Sequence, residues 1–232
     1  MHYFWQLFDF IYPSTCCNCG KIGFRLCREC IDKIQQIDEF FCLICGEIQK
    51  KHRVCIRCKK NPPKYYALRS WGVFNGPLRA AIHSLKYHRN LPLGEFLTDQ
   101  LVNTLRRQKW EIDLIVPVPL SEKRLKERGF NQADILAKPL SWKTGIPYQN
   151  TCIHRVKETS SQVGLTLKDR IINVTNAFEA DPTHTKSKTI LVVDDVATTG
   201  STINACAQSL IQAGARRVYA LTLARTAGMK DN

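Results

Sequence analysis

Ile190-Leu191-Val192-Val193-Asp194-Asp195-Val196-Ala197-Thr198-Thr199-Gly200-Ser201-Thr202 is the stretch whose reading decides the fold. Its four opening apolar residues follow a polar, turn-rich segment. They predict a strand buried on both faces, the pattern of an interior strand in a parallel sheet. Two carboxylates stand at the strand's carboxyl end, and small hydroxyl residues surround Gly200 just beyond them. A helical run starts near Ser201 and lasts to Ala213, with Gly214 placed as its C-cap.

That order has chemical consequences. Ligands of open α/β sheets sit outside the carboxyl ends of the strands. A loop of Thr, Gly and Ser at a helix start offers backbone N–H groups, hydroxyls and the positive dipole end to a phosphate. Paired acids just before it would repel a phosphate but suit a neutral diol, or a magnesium ion beside the phosphate. A ribose 5-phosphate whose 2- and 3-hydroxyls face Asp194 and Asp195 meets all three demands. The plain alternative is a strand that ends in a turn with two solvated aspartates. No Gly-Lys-Ser/Thr occurs here, which excludes a Walker-type phosphate loop.

Working outward, the chain of 232 residues accommodates one domain of ordinary size and a small appendage. No run of eighteen apolar residues exists, so no membrane span is expected. Met1-His2-Tyr3-Phe4-Trp5 lacks the basic n-region and small-residue cleavage site of a signal peptide. Of eleven cysteines, eight form four C-x-x-C pairs: Cys16/Cys19, Cys27/Cys30, Cys42/Cys45 and Cys55/Cys58. Each pair aims two thiolates at one ion, and zinc takes four. Without a signal peptide, two structural zinc ions in a reducing cytoplasm fit this spacing better than one zinc or disulfides. Sequential grouping is the simplest: Cys16, Cys19, Cys27 and Cys30, then Cys42, Cys45, Cys55 and Cys58. A cross-braced grouping stays open. Cys17 is left out, and His52 reads as solvated rather than as a ligand. Formal charge is +14, or about +10 once eight thiolates bind two Zn²⁺, so polyanionic partners are expected.

Residues 3–12 read as a short amphipathic helix that packs on the chain's own module, with a partner-binding helix as the alternative. The basic run of Lys50, Lys51, Arg53, Arg57, Lys59 and Lys60 reads as counter-charge to thiolates, or else as a nucleic-acid contact. Asn61-Pro62-Pro63 is a hinge, which gives a metal-binding unit over 1–60 and a second unit over 64–232. Strands are expected over 65–74, 112–118 and 218–223. Helices are expected over 78–87, 93–107 and 133–142. Pro117 and Pro119 must end the second strand. Lys123, Arg124, Lys126 and Arg128 then form a basic cluster that reads, by itself, as exposed helix charge. Residues 151–175 are polar and weakly patterned, the signature of a functional loop or an ordinary mobile hairpin.

Several stretches share a resemblance: the Cys pairs, Ser84-Leu85-Lys86-Tyr87, Val116-Pro117-Val118-Pro119-Leu120, Arg128-Gly129-Phe130-Asn131-Gln132 and Ala224-Arg225-Thr226. Together with Ile190–Thr202, which resembles the phosphoribosyl-pyrophosphate (PRPP) signature, they resemble the ComF/GntX family of competence-associated phosphoribosyltransferase-like proteins. The resemblance implies a type I phosphoribosyltransferase-like α/β core behind a double zinc ribbon. It implies that Asp194 and Asp195 hold the ribose hydroxyls, directly or through Mg²⁺, and that Ala197, Thr198, Thr199, Gly200, Ser201 and Thr202 hold the 5-phosphate. Val118 and Pro119 would lie in the pyrophosphate loop. Lys86 would reach a phosphate or pyrophosphate, and Arg124 and Arg128 the diphosphate or the incoming substrate. Closure of the 151–175 loop would bring Arg155 and Lys157 onto the leaving pyrophosphate. The acceptor has no readable signature. The implied partners are single-stranded DNA and the competence helicase and DNA-processing proteins. A non-catalytic sensor of PRPP or nucleotides is the alternative to a Mg²⁺-dependent transferase.

Overall fold

The computed structural model describes residues 14–87, 90–156 and 177–227. Strands β1 (Ala67–Val73), β2 (Leu114–Pro117), β5 (Thr189–Ala197) and β6 (Arg217–Arg225) form one sheet in the order β1-β6-β5-β2, parallel throughout. β5 is therefore interior, as its apolar run requires, and residues 189–195 are all buried. Because the sheet is parallel, the carboxyl ends of all four strands open on one side.

Helices α3 (Gly76–Tyr87), α4 (Leu91–Arg106) and α6 (Gln132–Thr144) cover one face of the sheet. Leu78, Ile82, Leu97 and Leu136 there join Leu191, Val193, Leu221 and Leu223 in one core. Helix α8 (Ser201–Gln212) covers the other face with the antiparallel strands β3 (Ile153–Arg155) and β4 (Phe178–Ala180). Ile203, Ala207 and Leu210 pack there on Ile190, Val192, Val218 and Ala220. Short helices α1 (Arg28–Ile31), α2 (Ile56–Lys60), α5 (Glu122–Arg128) and α7 (Pro182–Thr185) complete the described elements.

The cysteine-rich segment is built into this sandwich. Cys16, Cys27 and Cys30 belong to the α3/α4 core, whereas Cys42, Cys45 and Cys58 belong to the α8 core. The chain between them runs along the open edge of β1. Gln36 bridges Gly72, the Ile37 N–H donates to the Trp71 carbonyl at 2.9 Å, and the Val73 N–H donates to the Gln35 carbonyl at 2.9 Å. Further along β1 the Leu68 N–H donates to the Ile44 carbonyl at 2.7 Å. The segment thus covers an edge that would otherwise expose unpaired backbone groups.

Two elements depart from expectation. The basic cluster after β2 is a helix of its own: Ser121 caps it through the Arg124 N–H, and Gly129 ends it in the left-handed region at φ 74°. Within the long loop expected over 151–175, Ile153–Arg155 is a strand, because buried Ile153 pairs with Ala180 and the Asp181 N–H reaches the Cys152 carbonyl. The helix expected over 3–12 and the part of that loop from 157 on lie outside the described residues.

Candidate functional site

Asp194 and Asp195 occupy the end of β5 and point to different sides of the sheet, as alternation along a strand requires. Asp194 faces α8, where burial first and the nearby Asp194 second hold the Cys206 thiol far above its usual range. Asp195 faces α3, where Lys86 Nζ lies 2.5 Å from its Oδ2. Both acids are more than nine-tenths covered. Burial first, and the adjacent Asp195 second, push Asp194 up to about 8, while Lys86 opposes them. The raised value favours a proton on Asp194 at neutral pH. Asp194 Oδ1 accepts the Asp195 N–H at 2.9 Å. Asp195 Oδ2 takes no well-aligned hydrogen bond, so its link to Lys86 is an ion pair alone.

The loop beyond β5 turns through Gly200, which caps α8 at φ 80° and offers no side chain of its own. The Ser201 N–H donates to Thr199 Oγ1 at 3.2 Å, and the Thr199 and Ser201 hydroxyls lie 2.7 Å apart. The loop is pinned from β6 by the Thr226 N–H, which donates to the Ala197 carbonyl at 3.2 Å. Thr198, Thr199, Ser201 and Thr202 are half-buried. Hydroxyls thus gather at the amino end of a twelve-residue helix, where a macrodipole favours an anion.

Across the sheet edge, Val118 is tied to β5: its N–H donates to the Val193 carbonyl at 2.9 Å, and its carbonyl accepts Asn131 Nδ2 at 3.0 Å. Pro119 is half-buried beside it. Arg128 lies 5.3 Å from the ring centre of Tyr87, the neighbour of Lys86, and its Nη1 donates to Gln132 Oε1 at 2.9 Å. Lys86, Asp195, Val118 and Arg128 thus gather at the carboxyl end of the sheet. Arg124 sits half-buried on α5, next in the chain to that group. Arg155 stands on the α8 side, 5.4 Å over the Phe178 ring. Lys157 lies outside the described residues.

Two residues at this end have no site role in the sequence reading. The Tyr65 hydroxyl stands 3.1 Å from where a Cβ on Gly200 would lie. Arg225, paired in register with Ala197, is 1 % exposed, and among the described residues its Nε and Nη1 find no hydrogen-bond partner. Only its place in Ala224-Arg225-Thr226 could have marked it, and Tyr65 had no signal beyond its place after the Pro-Pro hinge.

The eight paired cysteines gather into two groups in chain order, and within each group the sulfurs lie within 4.8 Å of one another. Cys19–Cys27 and Cys45–Cys55 are 3.6 and 3.8 Å apart. Zinc–sulfur bonds of about 2.3 Å at tetrahedral angles set sulfurs about 3.8 Å apart, so each group fits one zinc ion with no open position. Backbone N–H groups of Cys27 and Cys55 donate to the sulfurs of Cys16 and Cys42. Burial pushes the Cys16 thiol up, but hydrogen bonds from the backbone of Cys19 and Cys27 outweigh it and bring it to about 6. A hydrogen bond from Cys58 brings Cys45 to about 4, with Arg225 and Arg57 also lowering it. Cys17 stands outside both groups, and His52 packs edge-on against Phe41.

An open depression of about 540 Å³ lies away from the acids, at the amino ends of β1 and β6. Leu43, Lys64, Tyr66, Ile211, Arg216 and Arg217 line it. Beside it Arg217 lies 4.4 Å over the Tyr66 ring, Tyr66 meets Tyr219 edge-on, and Tyr219 stacks on Trp110 at 4.4 Å.

Residues 7–59 match the double zinc ribbon domain model, and residues 90–231 match the phosphoribosyl transferase domain model. The DNA utilization protein YhgH of Escherichia coli (strain K12) is 32% identical over 92% of this chain and 98% of its own length. Competence protein F of Haemophilus influenzae is 34% identical over 86% of this chain and 90% of its own. Competence protein ComFC of Bacillus subtilis is 26% identical over 87% of this chain and 85% of its own. Among solved structures, glutamine PRPP amidotransferase from B. subtilis covers 56% of this chain and 25% of its own at 18% identity, with a TM-score of 0.39.

Proposed function

The chain belongs to the phosphoribosyltransferase family, in the double-zinc-ribbon branch of the competence F and DNA utilization proteins, and from that membership we propose that it binds PRPP at the carboxyl end of its sheet in support of DNA uptake and use. One observation carries the reading. A hydroxyl-lined loop opens helix α8 directly after two covered acids at the end of an interior parallel strand.

In this reading Thr198, Thr199, Gly200, Ser201 and Thr202 take the 5-phosphate. The residues at the acids also fit a divalent cation, because Asp194 and Asp195 bring two adjacent carboxyl groups to the carboxyl end of β5. Asp194 and Asp195 would hold Mg²⁺, and the bound ion supplies charge neutralisation for a leaving diphosphate. Lys86 is held by Asp195 in the free protein and is positioned to transfer its charge to the ligand when the acid turns to the metal or the ribose. Arg128, and Arg155 from the other side, complete the positive surround a diphosphate needs. Calorimetric titration with PRPP and Mg²⁺ should give saturable heat that ribose 5-phosphate competes away. No binding at millimolar PRPP contradicts the reading.

The DNA side of the function is supported by the depression at the amino ends of β1 and β6. Exposed Lys64, Arg216 and Arg217 next to the exposed ring of Tyr66 offer charge and a stacking face to a single strand. This fits better than Lys59 and Lys60, which have no aromatic beside them in sequence. Tyr66→Ala with Arg217→Ala should weaken single-stranded DNA binding and flatten its salt dependence. Unchanged binding would remove this surface.

A further inference from the structure

We propose that Tyr65 is a further ligand for the phosphate at the α8 loop, and that the buried guanidinium of Arg225 beside that loop favours the same anion. The inference rests on the phosphate reading of residues 198–202 given above.

Its first support is placement. The Lys64 N–H donates to Asn204 Oδ1 at 2.6 Å, which fastens the chain just before Tyr65 to the first turn of α8. The Tyr66 N–H donates to the Val218 carbonyl at 2.7 Å, which fastens it on the other side. Tyr65 is 4 % exposed between these two anchors, with its hydroxyl over Gly200. A phenol donor held against the αL glycine of an anion loop can complete the shell of a bound phosphate at no cost in ordering.

The second support is Arg225. A guanidinium with two buried nitrogens lacking partners is costly unless an anion lies close. Among the described residues no carboxylate pairs with it. Its register partner Ala197 is the last residue before Thr198, so this buried charge stands beside the loop and favours an anion there.

The test uses the full zinc-loaded chain and ribose 5-phosphate as the probe, with no magnesium. Tyr65→Phe should keep its zinc content and melting temperature and bind the probe roughly tenfold more weakly. Tyr65→Phe with unchanged affinity overturns the inference while leaving the phosphate site standing. A wild type that does not bind ribose 5-phosphate removes both.

Discussion

At the scale of single residues, Asp194 is the strongest departure from ordinary behaviour. Its carboxyl is raised by burial and by Asp195 to about 8. Between about pH 4 and pH 8 the folded chain holds a proton that the unfolded chain has released. Stability contributed at this site is therefore lost as pH rises through that window, and the full penalty is present above it. Asp194→Asn removes the penalty, so its gain in melting temperature should grow from pH 5 to pH 8. A gain that is constant with pH would refute the protonation assigned to it. Gly200 is the second such residue. At φ 80°, with a hydroxyl 3.1 Å from any added Cβ, Gly200→Ala should cost about 1–2 kcal/mol of stability and blunt binding of ribose 5-phosphate. Retention of both would mean the loop relaxes freely. The acids, the hydroxyl loop and the paired cysteines were readable because each is a local pattern with its own chemistry. The places of Tyr65 and Arg225 were not, because they follow only once β1, β6 and α8 have come together.

At the scale of elements, β5 and β6 were legible from unbroken apolar runs, and α3, α4 and α6 from their periodicity. β3 escaped because a three-residue strand makes no pattern, and its partner β4 is remote in sequence. α5 was read as exposed helix charge but not as a separate helix; Ser121 before it and Gly129 after it were the available signals of its ends. The helix cores carry ordinary energetics. Leu97→Ala, fully buried on α4, should cost about 2–5 kcal/mol in denaturant unfolding, with no change in zinc content. The knuckle at Gly46 is tighter than its loop position suggests. A Cβ there would meet the Leu68 carbonyl at 2.6 Å on the backbone of β1, and φ is +69°. Gly46→Ala should therefore weaken metal at the second cluster selectively, which a stepwise chelator titration reads. Simultaneous weakening of both clusters would show that the knuckle does not act alone.

At the scale of the whole molecule, the metal clusters are components of the two cores. One lies in the core of the α3/α4 face, the other in the core of the α8 face, and the strap between them closes the β1 edge. The sequence placed them in a unit of their own, because the Pro-Pro hinge and cysteine spacing are local, while their docking on β1 is not. Stripping zinc with a strong chelator should therefore lower the cooperative melting of the entire described fold. A metal-free protein that melts at the original temperature would show that the clusters are appendages. The excess of basic over acidic residues accords with the two proposed polyanions, a diphosphate at one end of the sheet and a nucleic-acid strand at the other.

The most direct test of the central claim is calorimetric titration of PRPP with Mg²⁺ into the wild type and into Asp194→Asn/Asp195→Asn, with zinc content and melting recorded for both. The account predicts saturable binding by the wild type and a loss of at least about tenfold in a variant that remains folded and zinc-loaded. Equal affinity in the two proteins would contradict it.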